Sequence, residues 1–158
     1  VADSGEEQIM AALVARLQGI TASNGFVTTV AEVVRYDEAN DYLSQPVSIV
    51  VVQGSTTYDH QDSYNQVLAV ISVALELTLV NYETARRESL VNAFVADVQK
   101  RLQPIESFGD GTLLFDLRWR RVDRFLRGGD APRAGAVMTV DLHTHLNRSD
   151  PFAIVNCN

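Results

Sequence analysis

Residues 64–80 read YNQVLAVISVALELTLV, and their reading decides the fold. The odd positions from Val67 to Leu79 are Val, Ala, Ile, Val, Leu, Leu and Leu. A strand sends alternate side chains to opposite faces, so this period of two is one continuous apolar face. The even positions mix Leu68, Val70 and Ala74 with Ser72, Glu76 and Thr78, so the other face is partly buried. At about 3.3 Å per residue the run would span roughly 55 Å, far beyond a strand of ordinary length. The length predicts either a bulge or an end that extends beyond the body of the domain. A projecting ribbon needs a partner, because its unpaired backbone groups invite pairing. The first functional expectation is therefore assembly rather than catalysis.

Outward from this strand, the chain alternates clearly patterned segments with polar ones. Residues 5–19 read as a helix, with Ile9, Leu13, Leu17 and Ile20 on one stripe and Gly19 as its stop. Ser4 and Glu7 have the spacing of a capping box. Residues 28–36 read as a strand, and 37–45 as a polar loop. Residues 47–53 are apolar on both sides, which predicts a central strand. Residues 54–63 are polar and read as a loop. After the long strand, Asn81 is a candidate cap for a helix over 83–102. Leu90, Phe94, Val98 and Leu102 recur there every fourth residue, and Pro104 ends it. Residues 105–111 read as a turn region. Leu113, Phe115, Leu117 and Trp119 then alternate with polar positions, and the alternation slips after Arg120. A bulge near Arg120 and Arg121 accounts for the slip. Residues 127–133 read as a loop. The last strand runs over 134–146, with Ala136, Met138, Val140, Leu142 and Leu146 inward and Thr139, Asp141, His143 and His145 outward. It pairs as a hairpin with its predecessor.

The predicted class is α+β, a single domain in the order α-β-β-β-α-β-β. Its sheet is mixed or antiparallel, with two helices packed on one face. The domain covers 1–147. Residues 148–158 read as a C-terminal tail, with Phe152, Ile154 and Val155 as candidate docking residues. A chain of 158 residues with 46% apolar residues suffices for one proper core. No apolar run approaches a membrane span, so no membrane partner is expected. The polar, acidic start predicts no signal peptide. The single cysteine, Cys157, cannot form an internal disulfide and reads as a bystander.

Net charge is −7, and it is unevenly placed. Residues 1–62 hold nine acids against Arg16 and Arg35, while six of the thirteen Lys and Arg lie between Arg118 and Arg133. The asymmetry suggests head-to-tail complementarity between copies, or simply a solvated surface. Global acidity disfavours non-specific nucleic-acid binding.

No phosphate loop, nucleophile elbow, zinc cysteine pair or H-E-x-x-H is present, so no catalytic residue is assigned and no enzyme or cofactor is expected. Asp141, His143 and His145 form an outward D-x-H-x-H row that could take a metal or small ligand, though a polar strand face is the simpler reading. His60, Asp59 and Asp62 read as solvated loop residues, and Glu6 and Glu7 as a surface pair. The main polar feature is the arginine row Arg118, Arg120, Arg121, Arg124 and Arg127. It suits an acidic protein surface or phosphates. The interleaved Asp116, Asp123 and Asp130 argue for a neutralised face and against nucleic acid. With Asp37, Glu38, Asp41, Asp59 and Asp62, these arginines are the candidate subunit or partner interface.

The order and spacing of several stretches resemble the tail terminator (tail completion) proteins of tailed bacteriophages. They are EEQIMAALVARLQGITASNGFVTTVAEVVR at 6–35, QPVSIVVVQG at 45–54 and QVLAVISVALELTLV at 66–80. ARRESLVNAFVADVQKRL at 85–102, AGAVMTVDLHTHL at 134–146 and RSDPF at 148–152 complete the set. The resemblance spans nearly the whole chain and carries no catalytic motif. It implies a structural virion protein, assembled in the host cytoplasm and located at the tail or neck. Such a protein forms a ring, typically of six copies, that caps the tail tube, stops its elongation and meets the head connector or neck. It would place the loops at 37–45, 54–63 and 127–133 against the tube or neck, with DNA passing through the lumen without specific binding. A different connector or head-closure protein of the same particle is the neighbouring expectation.

Overall fold

A computed structural model of the chain describes residues 4–35, 46–59, 66–80, 87–104, 113–127, 133–147 and 149–151. Helix α1 (Gly5–Gln18) is followed by a short 3-10 turn at Ala22–Asn24 and strand β1 (Glu32–Arg35). Then come β2 (Val47–Asp59), β3 (Gln66–Val80), helix α2 (Arg87–Leu102), β4 (Asp116–Arg127) and β5 (Arg133–Asn147). The fold is α+β in the expected order. One five-stranded sheet runs β1-β2-β3-β5-β4. β1 is parallel to β2 and the other pairs are antiparallel, so the sheet is mixed.

β3 lies at the centre. Its odd face is core, with Ile71, Val73 and Leu75 fully buried. Register aligns Leu75 with Val51 on β2 and with Met138 on β5. Ile9 and Leu13 of α1 and Phe94 and Val98 of α2 join the same buried cluster, so both helices cover this one face. The opposite face is uneven. Ser48, Val50 and Thr78 at one end are buried, while Leu68 at the other is 37% exposed.

The length of β3 is resolved without a bulge of its own. Its ladder with β5 is unbroken from Gln66 opposite Asn147 to Val80 opposite Arg133. The extra residue sits on β2 instead, where register shifts between Gln53 and Thr56. Gly54 lies in that shift, and a Cβ there would stand 2.9 Å from the Ser72 carbonyl oxygen. Of the two expectations, the projecting end is corrected and the bulge is found on the neighbouring strand: β5 pairs β3 along its whole length, and β2 pairs it between Leu68 and Leu79.

Two further expectations change. Residues 54–59, read as loop, continue β2 as far as Asp59. Backbone pairing to β3 holds this segment, so its side chains carry no apolar signal. The first strand is shorter than expected, because the Val30 N–H bonds the Ile20 carbonyl before the sheet begins. Asn81, the helix start at 83–86, the turn at 105–111 and the tail residues Phe152, Ile154 and Val155 lie outside the described residues.

Local chemistry sets the helix positions. Ser4 Oγ accepts the Glu7 N–H at 3.2 Å, as a capping box requires. The Glu7 carboxylate turns elsewhere, to Arg35. At their far ends the helices clasp: Arg16 Nη2 donates to the Arg101 carbonyl at 2.7 Å, and Arg101 Nε to the Arg16 carbonyl at 2.8 Å. Helix C-termini favour cations, which lets two guanidiniums share this corner. Burial, and then the Arg101 charge, hold the Arg16 guanidinium below its ordinary pKa. Pro151 returns to α1, where its carbonyl accepts the Gly5 N–H at 2.7 Å.

Asp97 is the buried acid of α2. Its carboxylate accepts the Val27 N–H at 3.3 Å and the Thr28 N–H at 2.6 Å, tying the α1–β1 connection to α2. Asp97→Ala is expected to lower stability by about 2–3 kcal/mol, because two N–H groups lose a charged acceptor. Urea denaturation measures this. An unchanged midpoint would mean that water replaces the carboxylate without loss.

Candidate functional site

Of the polar residues singled out by the sequence, Arg118, Arg120, Arg121, Asp141, His143 and His145 gather on β4 and β5, on the sheet face away from the helices. The ladder between these strands shifts register between Trp119 and Arg121, where the sequence alternation slips. Arg120 is the extra residue. Arg118 stands opposite Asp141, and Arg121 opposite Thr139. The bulge therefore brings Arg118, Arg120 and Arg121 to one face, which plain alternation would not.

Each of these arginines has an intramolecular acid. Arg118 Nε lies 2.7 Å from Asp116, Arg121 Nε 2.7 Å from Asp123, and Arg120 Nη1 3.5 Å from Asp141. The Arg118 hydrogen bond is the main reason the Asp116 carboxyl is held below the usual aspartate range. The guanidiniums nonetheless stand outermost. Side-chain exposure is 68% against 37% for Arg118 and Asp116, 63% against 15% for Arg120 and Asp141, and 72% against 53% for Arg121 and Asp123.

Arg124 departs from the row. Its Nε donates to Asn92 Oδ1 of α2 at 2.9 Å, on the helix-covered side of the sheet. The post-bulge parity sends it there, so its grouping with the other arginines is corrected. Arg127 aligns with Arg133 at the end of the ladder.

The D-x-H-x-H row faces outward, as read. Its members do not converge. Asp141 and His145 are four residues apart on a strand, about 13 Å, which is too far to share an ion. Phe115 packs against both imidazoles instead, with ring centroids 5.8 Å from His143 and 4.8 Å from His145. Among the described residues no three His, Cys, Asp or Glu side chains are grouped to hold a metal. The metal reading of Asp141, His143 and His145 therefore has no geometry behind it. The aromatic contact was hidden in the sequence, because strand parity puts Phe115 on the opposite side. Phe115 precedes the first residue of β4 and escapes that parity.

At the other side of the sheet lies an acidic corner. Arg35 pairs with Glu7 and also donates to Gln53 Oε1 at 3.3 Å. Tyr58 Oη donates to Glu6 Oε1 at 3.2 Å. Burial first, and then Glu6, push the Tyr58 phenol upward. Asp59, the last residue of β2, is exposed and aligns with Leu68, so it stands on the opposite face of the sheet from Tyr58, which aligns with Ala69. Here the carboxylate is the outer partner, Glu7 being 44% exposed and Arg35 20%. Asp37, Glu38, Asp41, Asp62 and His60 lie outside the described residues, as do most of the loops at 37–45, 54–63 and 127–133.

No protein-family model matches the sequence, and no curated protein matches it. Among the described residues no helix is long and apolar enough to cross a membrane.

Proposed function

We propose that the chain is a structural assembly protein of the tail-terminator kind, a ring that caps a phage tail tube and meets the head connector. The observation that carries the reading is the agreement between the resembling stretches and the folded elements. QVLAVISVALELTLV coincides with β3, and EEQIMAALVARLQ lies in α1. QPVSIVVVQG begins β2, ARRESLVNAFVADVQKRL ends with α2, and AGAVMTVDLHTHL fills β5. The resemblance thus follows the elements of one domain in order. The outer polar face also fits a protein–protein role better than a nucleic-acid one, because three acids neutralise three arginines on it.

Loss of the chain from its particle is the direct test. Tails of uncontrolled length are the expected phenotype, scored by electron microscopy. Tails of normal length left unattached to heads would replace this reading with a head-side connector.

A further inference from the structure

Strand β2 is far longer than the strand beside it. β1 pairs with β2 only from Ser48 to Val51, whereas β2 runs on to Asp59 and stays paired with β3 on its other side. Among the described residues, no strand flanks β2 on the β1 side beyond Val51. Ser55 and Thr57 in this stretch are exposed. Such an edge offers a row of backbone donors and acceptors to an added strand. Residues 36–45 must lead from Arg35, beside Val51, back to Pro46, so their reach is spent in the other direction.

We propose that residues 152–158 of the same chain add to this edge as a sixth strand, antiparallel to β2. The place where the described chain stops selects this occupant. The Pro151 carbonyl accepts the Gly5 N–H at 2.7 Å, which fixes the start of the segment at the N-terminus of α1. From the next residue, Glu6, the carboxylate reaches the Tyr58 hydroxyl near the far end of β2. The segment therefore sets out beside that end, and the free edge runs from there back toward Val52. Its seven residues can span about 23 Å when extended, enough to follow the edge from Thr57 past the bulge. Their sequence, FAIVNCN, suits the role. Phe152, Ile154 and Val155 are good strand formers, and alternation sends Phe152 and Ile154 to one face. On the helix side an apolar surface already waits, since Tyr58 is 49% exposed there. Backbone pairing supplies the rest of the contact, as in strand addition generally.

Cys157, the single cysteine, is a probe inside the segment. A second cysteine is placed in the full chain as Ser55→Cys, Thr56→Cys or Thr57→Cys, and each variant is oxidised with oxidised glutathione. A disulfide needs Cα atoms within about 7 Å, so only a neighbouring strand closes one readily. An intrachain disulfide is expected in at least one of the three, read by mass and by loss of free thiol. Ala11→Cys is the control, exposed on α1 and about 9 Å along the helix from Gly5. It is expected to remain reduced. Disulfides between chains, none at any of the three positions, or equal closure in the control would each overturn the proposal. The second readout needs no cysteine. Ile154→Pro, which removes a backbone donor, is expected to speed amide exchange at Ser55–Thr57 about tenfold or more while the Ile71 and Leu75 amides stay protected. Unchanged exchange at Ser55–Thr57 would overturn the sixth strand.

Discussion

Leu75→Asp is expected to leave the chain unfolded at room temperature. Leu75 is fully buried at the middle of β3, between Val51 on β2 and Met138 on β5. It belongs to the one cluster that joins the sheet to both helices. A carboxylate there has no cation or donor among these apolar neighbours, so it must either ionise in the core or fold only when protonated. The cost exceeds about 4–5 kcal/mol, comparable to the whole stability of an ordinary domain. Glu76→Ala is the control on the other face, where the same strand is only half-buried. It is expected to stay within about 1 kcal/mol of wild type. Urea denaturation followed by circular dichroism reads both. A Leu75→Asp chain with a wild-type midpoint would mean that the odd face of β3 is not the core.

Gly135→Ala is expected to be the most damaging single-methyl change in the sheet. Gly135 lies on β5 between Thr78 of β3 and Phe125 of β4. A Cβ there would overlap the Leu77 carbonyl oxygen and approach Phe125 Cζ at 2.9 Å. The phenyl ring can move, but the carbonyl belongs to the central strand and cannot rotate away. Either β3 or β5 must shift, at a cost of about 3 kcal/mol, the upper part of the usual overpacking range. Phe125→Leu in the same chain is not expected to rescue it, because the closer clash is with backbone. A melting temperature equal to wild type would show that the sheet yields at this point.

The fold was legible where side chains report their surroundings. The parity of β3 and β5, the stripe of α1 and the slip after Arg120 each reflect which residues are buried, and each located its element. The extension of β2 through Asp59 was not legible, since Ser55, Thr56 and Thr57 are held by backbone pairing and show no apolar face. The candidate interface was legible in composition and less so in geometry. The sequence marks an acidic first part and an arginine-rich later part. It cannot show that one extra residue at the bulge brings Arg118, Arg120 and Arg121 to one face while Arg124 turns to Asn92. Nor does it show which member of each ion pair stands outermost, a property of packing around strands distant in the chain.

Closed rings in solution are what the proposed function requires. The mass of the purified chain across a concentration series, with electron micrographs of the largest species, tests that most directly. A concentration-dependent rise to one closed ring, six copies by the resemblance, is the expected result. A chain that stays monomeric at every concentration, and leaves the ends of added tail tubes bare, would contradict it.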